Sequence, residues 1–268
     1  MLPRDSQPQA LDVEILRAVE AWHGHDRALS DAAFNDLALR IFAHQLERNE
    51  AYSRYCGSLG VTVHALPADW QAIPPVPAGA YKEATLATFD PSRAALEFTT
   101  SGTTRGTGGR HYMETRELYE AASLAGFDRF ALADAPRLRY LNLVPNPADR
   151  ADSSLGYMMA HVSHQRGDGN TGWYVRGNEL FFDAFTTDLQ SAIAGGAPVC
   201  VATTAFALVD VLARCEEREL TFALPPGSRI METGGFKGRA RAVGRDALYE
   251  TAHRCFGIAS DAIFAEYG

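Results

Sequence analysis

Apolar positions recur at three-to-four spacing through the first third of the chain: Leu11, Ile15, Ala18, Val19 and Trp22, then Phe34, Leu37, Ile41 and His44. That period predicts two amphipathic helices, and Ser30 stands where it can cap the second. The proline-rich residues 68–80 (ADWQAIPPVPAGA) suit neither helix interior nor central strand, so they predict a loop and a soft domain boundary. Beyond it the pattern alternates. Strand-like runs fall at 96–99, 139–144, 172–175, 198–202, 229–233 and 262–267. Helical faces follow at Leu118, Ala121, Ala122 and Ala125, at Phe206, Leu208, Val211, Leu212 and Cys215, and at Leu248, Ala252 and Cys255. The last has His253 and Arg254 in its final turn and Gly257 as its stop. Alternation of this kind predicts an α/β fold with a mostly parallel sheet flanked by helices. The expected organisation is a helical segment over 1–80, packed on an α/β nucleotide- and acyl-binding core over 81–268.

With 268 residues, 46% of them apolar, the chain buries a core without disulfide or metal staples. Twenty-five Lys and Arg stand against 33 Asp and Glu, a net charge of −8 with no block of like charges, which argues against a nucleic-acid surface. The longest uncharged stretch, 189–209, is broken by Gly195, Gly196 and Pro198 and predicts no membrane span. Residues 1–14 lack an apolar signal core, and Cys56, Cys200, Cys215 and Cys255 are widely spaced, as in a cytoplasmic protein with reduced thiols and no zinc framework.

The densest unusual segment is 98–111 (FTTSGTTRGTGGRH), with four glycines, five threonines, one serine and two arginines between a strand pattern and a helix pattern. Glycines let backbone N–H groups approach a polyphosphate, hydroxyls add donors, a following helix N-terminus adds its dipole, and Arg105 and Arg110 offset charge. It is neither a Walker A loop nor the dinucleotide fingerprint, since His111 stands where the third glycine would be. A flexible linker has the same composition, although linkers are uncommon between the strand and helix of a core.

Thr100-Ser101-Gly102-Thr103-Thr104 resembles the TSGTT phosphate-binding motif of the adenylate-forming superfamily of acyl-CoA synthetases, firefly luciferase and peptide-synthetase adenylation domains. Residues 142–159 (NLVPNPADRADSSLGYMM), 201–212 (VATTAFALVDVL), 229–241 (RIMETGGFKGRAR) and 265–268 (AEYG) are similar, in the same order, to the bacterial acyl-protein synthetase (LuxE-like) branch related to phenylacetate-CoA ligase.

The resemblance implies an incomplete N-terminal large domain of an acid–thiol ligase, using ATP and Mg²⁺. A carboxylic acid, a fatty acid above all, is activated as its acyl-adenylate and passed to a thiol: a protein cysteine, a carrier or coenzyme A. It also implies an acyl reductase as partner. By the same resemblance Ser101, Gly102, Thr103, Thr104, Gly106 and Arg110 hold phosphates. Gly234 and Gly235 wall the adenine and Tyr267, followed by Gly268, stacks on it, while Lys237 contacts phosphate or carboxylate. Ser153, Ser154, Met158 and His161 line the acyl pocket. Two other readings stay open: an aryl- or acyl-CoA ligase, and a non-catalytic nucleotide- or acyl-binding subunit. The family's Mg²⁺-binding glutamate and C-terminal lid lie beyond Gly268, so the isolated chain is expected to turn over poorly, as a truncated piece or one half of a split protein.

No catalytic residue is assigned from the pattern. His161 and His164 have a spacing that could bind metal on a helix, but no glutamate follows in the zincin pattern, and no metal ligand is assigned. Cys200, Cys215 and Cys255 fall on apolar faces and predict core thiols, while Cys56, in a glycine-containing turn, is the one expected near the surface.

Overall fold

The computed structural model describes residues 10–25, 28–100, 108–132, 137–234 and 244–266. They form two compact units, Met1–Ala125 and Gly126–Gly268. The proline-rich stretch expected to mark a boundary thus falls inside the first unit.

That unit begins with α1 (Ala10–His25), α2 (Asp31–Arg48) and α3 (Glu50–Ser58). Ser30 caps α2 as its position predicts, accepting from the Ala33 N–H at 3.3 Å. Asn49 serves two helices: its N–H closes α2 on Gln45, and its Oδ1 accepts from Tyr52 N–H at 3.2 Å to open α3. The core gathers Phe42, Leu46, Tyr52 and Cys56, with Val61, Ile73, Val76 and Leu86 packed against them. The proline-rich segment is therefore structural. Proline cannot donate but its carbonyl can accept, and the buried Tyr52 hydroxyl donates to Pro74 O at 2.6 Å.

After α4 (Ala80–Glu83), β1 (Leu96–Thr99) pairs antiparallel with β2 (Arg110–Met113), and α5 (Glu117–Phe130) follows. The strands at the two ends of the glycine- and threonine-rich segment thus pair with each other, and residues 101–107 between them lie outside the described residues. The expected helix does not follow the segment directly, because α5 begins beyond β2, so the dipole contribution expected from that helix has no basis in the local order of elements. The second strand escapes a reading by pattern because it is only four residues long and its faces differ little in polarity.

The second unit is built on a six-stranded sheet. Its elements are β3 (Arg139–Pro145), α6 (Ser154–Arg166), β4 (Gly172–Arg176), β5 (Glu179–Leu180), α7 (Phe182–Ala194), β6 (Val199–Thr204), α8 (Ala205–Glu217), β7 (Arg229–Thr233), α9 (Arg245–Phe256) and β8 (Ile263–Glu266). The strand order is β5-β4-β3-β6-β7-β8, parallel throughout except for the short edge strand β5. This is the mostly parallel α/β sheet that the alternation predicts.

Strand alternation sorts the two faces. Leu141, Leu143, Val199, Val201, Ile230 and Ile263 meet the apolar stripes of α7, α8 and α9: Phe185 and Leu189, Leu208 and Leu212, Leu248 and Phe256. Tyr140, Asn142, Cys200, Ala202 and Met231 alternate with them onto the other face. Right-handed crossovers account for the division of helices. The chain moves one way from β3 to β4 through α6, then returns past β3 to β6, β7 and β8 through α7, α8 and α9. The reversal between β3 and β6 is a topological switch point, and in open α/β sheets ligands bind outside the carboxyl ends of the strands there.

Candidate functional site

Four neighbouring strands bring polar groups to that carboxyl edge. β6 ends at Thr204, whose hydroxyl accepts from Ala207 N–H at 3.2 Å and caps α8. β7 ends at Thr233, opposite Thr204 on one side and Glu266 of β8 on the other. The Thr233 hydroxyl donates to Glu266 Oε2 at 2.5 Å. Gly234 follows with φ +88°, a left-handed conformation, and a Cβ there would meet nothing within 4 Å. Glycine is thus required by the backbone angle rather than by crowding.

β3 ends at Pro145, where α6 comes close. Ser153 caps that helix, its Oγ accepting from Gly156 N–H at 3.1 Å. A Cβ on Gly156 would lie 2.5 Å from Pro145 O. Behind the edge, Asn142 is 0% exposed and, among the described residues, neither its Oδ1 nor its Nδ2 has a hydrogen-bond partner. The Tyr140 hydroxyl, on the same face, and Ser163 Oγ of α6 are likewise buried and unpartnered.

Among the residues singled out by the motifs, Ser101, Gly102, Thr103, Thr104, Gly106, Gly235, Lys237, Tyr267 and Gly268 lie outside the described residues. Arg110 is described, in the first unit. Its guanidinium bonds Glu97 at 2.8 Å, and a hydrogen bond with the Tyr112 side chain first, then this carboxylate, raises its pKa. The ion pair with Glu97 is exposed and screened by solvent, so an arriving anion can displace the carboxylate at small cost. At the end of the β1–β2 ladder, Thr100 N–H donates to Gly109 O and Gly109 N–H to Thr100 Oγ1, both at 2.8 Å.

The acyl-pocket candidates share α6. Ser153 spends its hydroxyl on the cap. Ser154 is exposed at the first position, Met158 is buried and His161 half-buried. Spacing of four and three puts Ser154, Met158 and His161 on one stripe, beside the stripe of Met159, Val162 and Ser163 that is buried throughout. Asn142, Glu232, Thr233 and Glu266 are additions from the structure. Their signal in the sequence was a polar residue inside an apolar strand pattern, as in RYLNLV and RIMET.

No family model matches the chain, and no curated protein matches it. Among solved structures it is similar along its whole length to one described as McyG A-PCP complexed with phenylalanyl-adenylate, at 17% identity and a TM-score of 0.42. The chain spans 42% of that chain's length.

All four cysteines are free and buried. Cys200, Cys215 and Cys255 are core thiols as predicted. Cys56 is not at the surface: it lies on α3, four residues from Tyr52, and both side chains point into the first unit's core. Burial pushes the Cys200 and Cys215 thiols up to about 12 and raises those of Cys56 and Cys255. Neutral, inaccessible thiols are poor nucleophiles. Ellman's reagent at pH 8 is therefore expected to label none of the four in the native protein and all four after unfolding; rapid labelling of any native thiol contradicts this. Among the described residues no helix is long and apolar enough to cross a membrane, and no group of three or more His, Cys, Asp or Glu side chains is placed to hold a metal ion.

Proposed function

We propose that this chain contributes the nucleotide- and acyl-binding sheet of an ATP-dependent enzyme that activates a carboxylic acid and delivers its acyl group to a thiol. The observation that carries the reading is convergence. The segments at 142–159, 201–212, 229–241 and 265–268, scattered through the second half of the chain, lie on β3, β6, β7 and β8, four adjacent strands, and run across or reach their carboxyl ends. A parallel sheet explains why motifs far apart in sequence can serve one ligand.

In the reaction a carboxylate oxygen attacks the α-phosphorus of ATP and the bond to pyrophosphate breaks. The thiol sulfur then attacks the acyl carbon and AMP leaves. The first step leaves charge on pyrophosphate, and the second carries it through the acyl carbonyl oxygen to the departing AMP, so the protein's contribution is positioning and electrostatic stabilisation. In this reading Ser101, Gly102, Thr103, Thr104, Gly106 and Arg110 supply phosphate donors, the Gly234–Gly235 pair and Tyr267 hold the adenine, Lys237 meets a phosphate or carboxylate oxygen, and Ser153, Ser154, Met158 and His161 receive the acid. Mg²⁺ finds no ligand set among the described residues, and no step is assigned to it. Fatty acids, which the acyl-protein synthetase resemblance suggests, are the first acids to test, with a carrier or protein cysteine as acceptor and an acyl reductase as the downstream partner.

ATP–pyrophosphate exchange on the full-length protein, with a panel of fatty, aromatic and amino acids, is expected to show label entering ATP only when the right acid is present. An intact fold with no exchange for any acid would sink the proposal. Product analysis with coenzyme A and with a carrier protein identifies the acceptor.

A further inference from the structure

Glu232 is the penultimate residue of β7 and is 3% exposed. Alternation places it on the face covered by α7, α8 and α9, opposite to Thr233. The sheet offers it little: Thr203 and Ala265 stand beside it in register, and the Thr203 hydroxyl donates to Thr204 O instead. Its partners come from α9. The Tyr249 hydroxyl donates to Glu232 Oε1 at 3.2 Å, and the Arg245 guanidinium lies 3.8 Å from the same oxygen. Burial first, and then this carboxylate, raises the Tyr249 phenol above its ordinary pKa, so it stays a donor. Arg245 and Tyr249 are four apart on one side of the helix. α9 begins after Gly244 with no side-chain cap, so a carboxylate against its first turn also complements the helix dipole. A buried carboxylate is strongly disfavoured unless held by such partners.

We propose that Glu232 is a positioning residue: its carboxylate ties the end of β7 to the first two turns of α9 and so fixes the direction in which the Gly234 turn leaves the sheet. The functional consequence rests on the nucleotide-binding reading given above. A turn at positive φ has few constraints of its own, and binding geometry depends on the rigidity of what supports it. Gly234, which this reading sets against the nucleotide, follows Glu232 by two residues, so the effect falls on the nucleotide and not on the acid.

The test compares wild type, Glu232→Ala, Glu232→Gln and Tyr249→Phe in the exchange assay, titrating ATP at saturating acid and acid at saturating ATP. Glu232→Ala is expected to raise KM for ATP about tenfold, the usual consequence of losing a hydrogen bond to a charged group, with KM for the acid within about twofold. Glu232→Gln keeps an acceptor for Tyr249 and restores KM for ATP to within about threefold. Equal shifts in both KM values, or none, overturn the proposal. Tyr249→Phe removes only the hydroxyl and carries the same test should Glu232→Ala fail to fold. Amide hydrogen exchange over 245–249 is a second readout: faster exchange in Tyr249→Phe supports the tie, and unchanged exchange overturns it. Wild type that shows no acid-dependent exchange defeats the enzymatic reading alone, and the amide measurement still decides the tie.

Discussion

Gly156→Ala lowers stability by about 1–3 kcal/mol, while the same substitution at Gly126 raises it by about 0.5–1 kcal/mol. Both glycines lie inside helices, Gly156 in α6 and Gly126 in α5, so alanine improves intrinsic propensity equally at the two sites. What differs is the space. A Cβ on Gly126 meets nothing within 4 Å, whereas one on Gly156 lies 2.5 Å from the Pro145 carbonyl oxygen, closer than real Cβ atoms come. The obstacle is backbone at the end of a central strand, and the Ser153 cap holds the helix start in place, so neither side yields cheaply. Urea unfolding of both variants measures the effect. Stabilisation at both positions would show that α6 does not approach β3 as described, and the site geometry would fail with it.

This contact also explains why α6 is hard to read from sequence. Local signals were sufficient for Ser30, for Gly257 in its left-handed cap conformation, and for β7, whose limits coincide with the strand-like run at 229–233. α6 carries a glycine in its first turn, which counts against a helix, and the reason for Gly156 is a neighbour eleven residues earlier in sequence that only the fold brings near. α7 has a legible stripe, Phe182, Phe185, Leu189 and Ala192, but its second half runs into uncharged residues with turn formers, which read as turn and strand. At the carboxyl edge Ser153 and Gly234 were singled out only by the motif resemblance, and the structure gives each a backbone role that few residue types fill, a helix cap and a left-handed turn. Glu232 and Asn142 were visible as letters only. Their meaning depends on partners, and a strand pattern shows that a position is buried without showing what meets it.

Asn142→Leu raises stability by about 1–3 kcal/mol, although it alters a residue at the centre of the sheet. Asn142 is fully buried between Trp173 of β4 and Ala202 of β6, and neither amide atom has a partner among the described residues. A buried donor and acceptor without partners lose their hydration and recover nothing, which costs more than a hydrogen bond gains. Leucine has the same heavy-atom count and branching, removes both unpaired atoms and has the better strand propensity of the two. The expected outcome is a higher urea midpoint with an unchanged slope. A lower midpoint would show that the amide is hydrogen-bonded in solution, most simply to an ordered water shared with the Tyr140 or Ser163 hydroxyl, and Tyr140→Phe and Ser163→Ala would then lose stability as well. If the midpoint rises, the natural sequence carries an avoidable cost three residues inside the carboxyl end of β3. Costs of that kind concentrate where a protein binds or reacts, so the stabilised variant should be compared with wild type in ATP–pyrophosphate exchange.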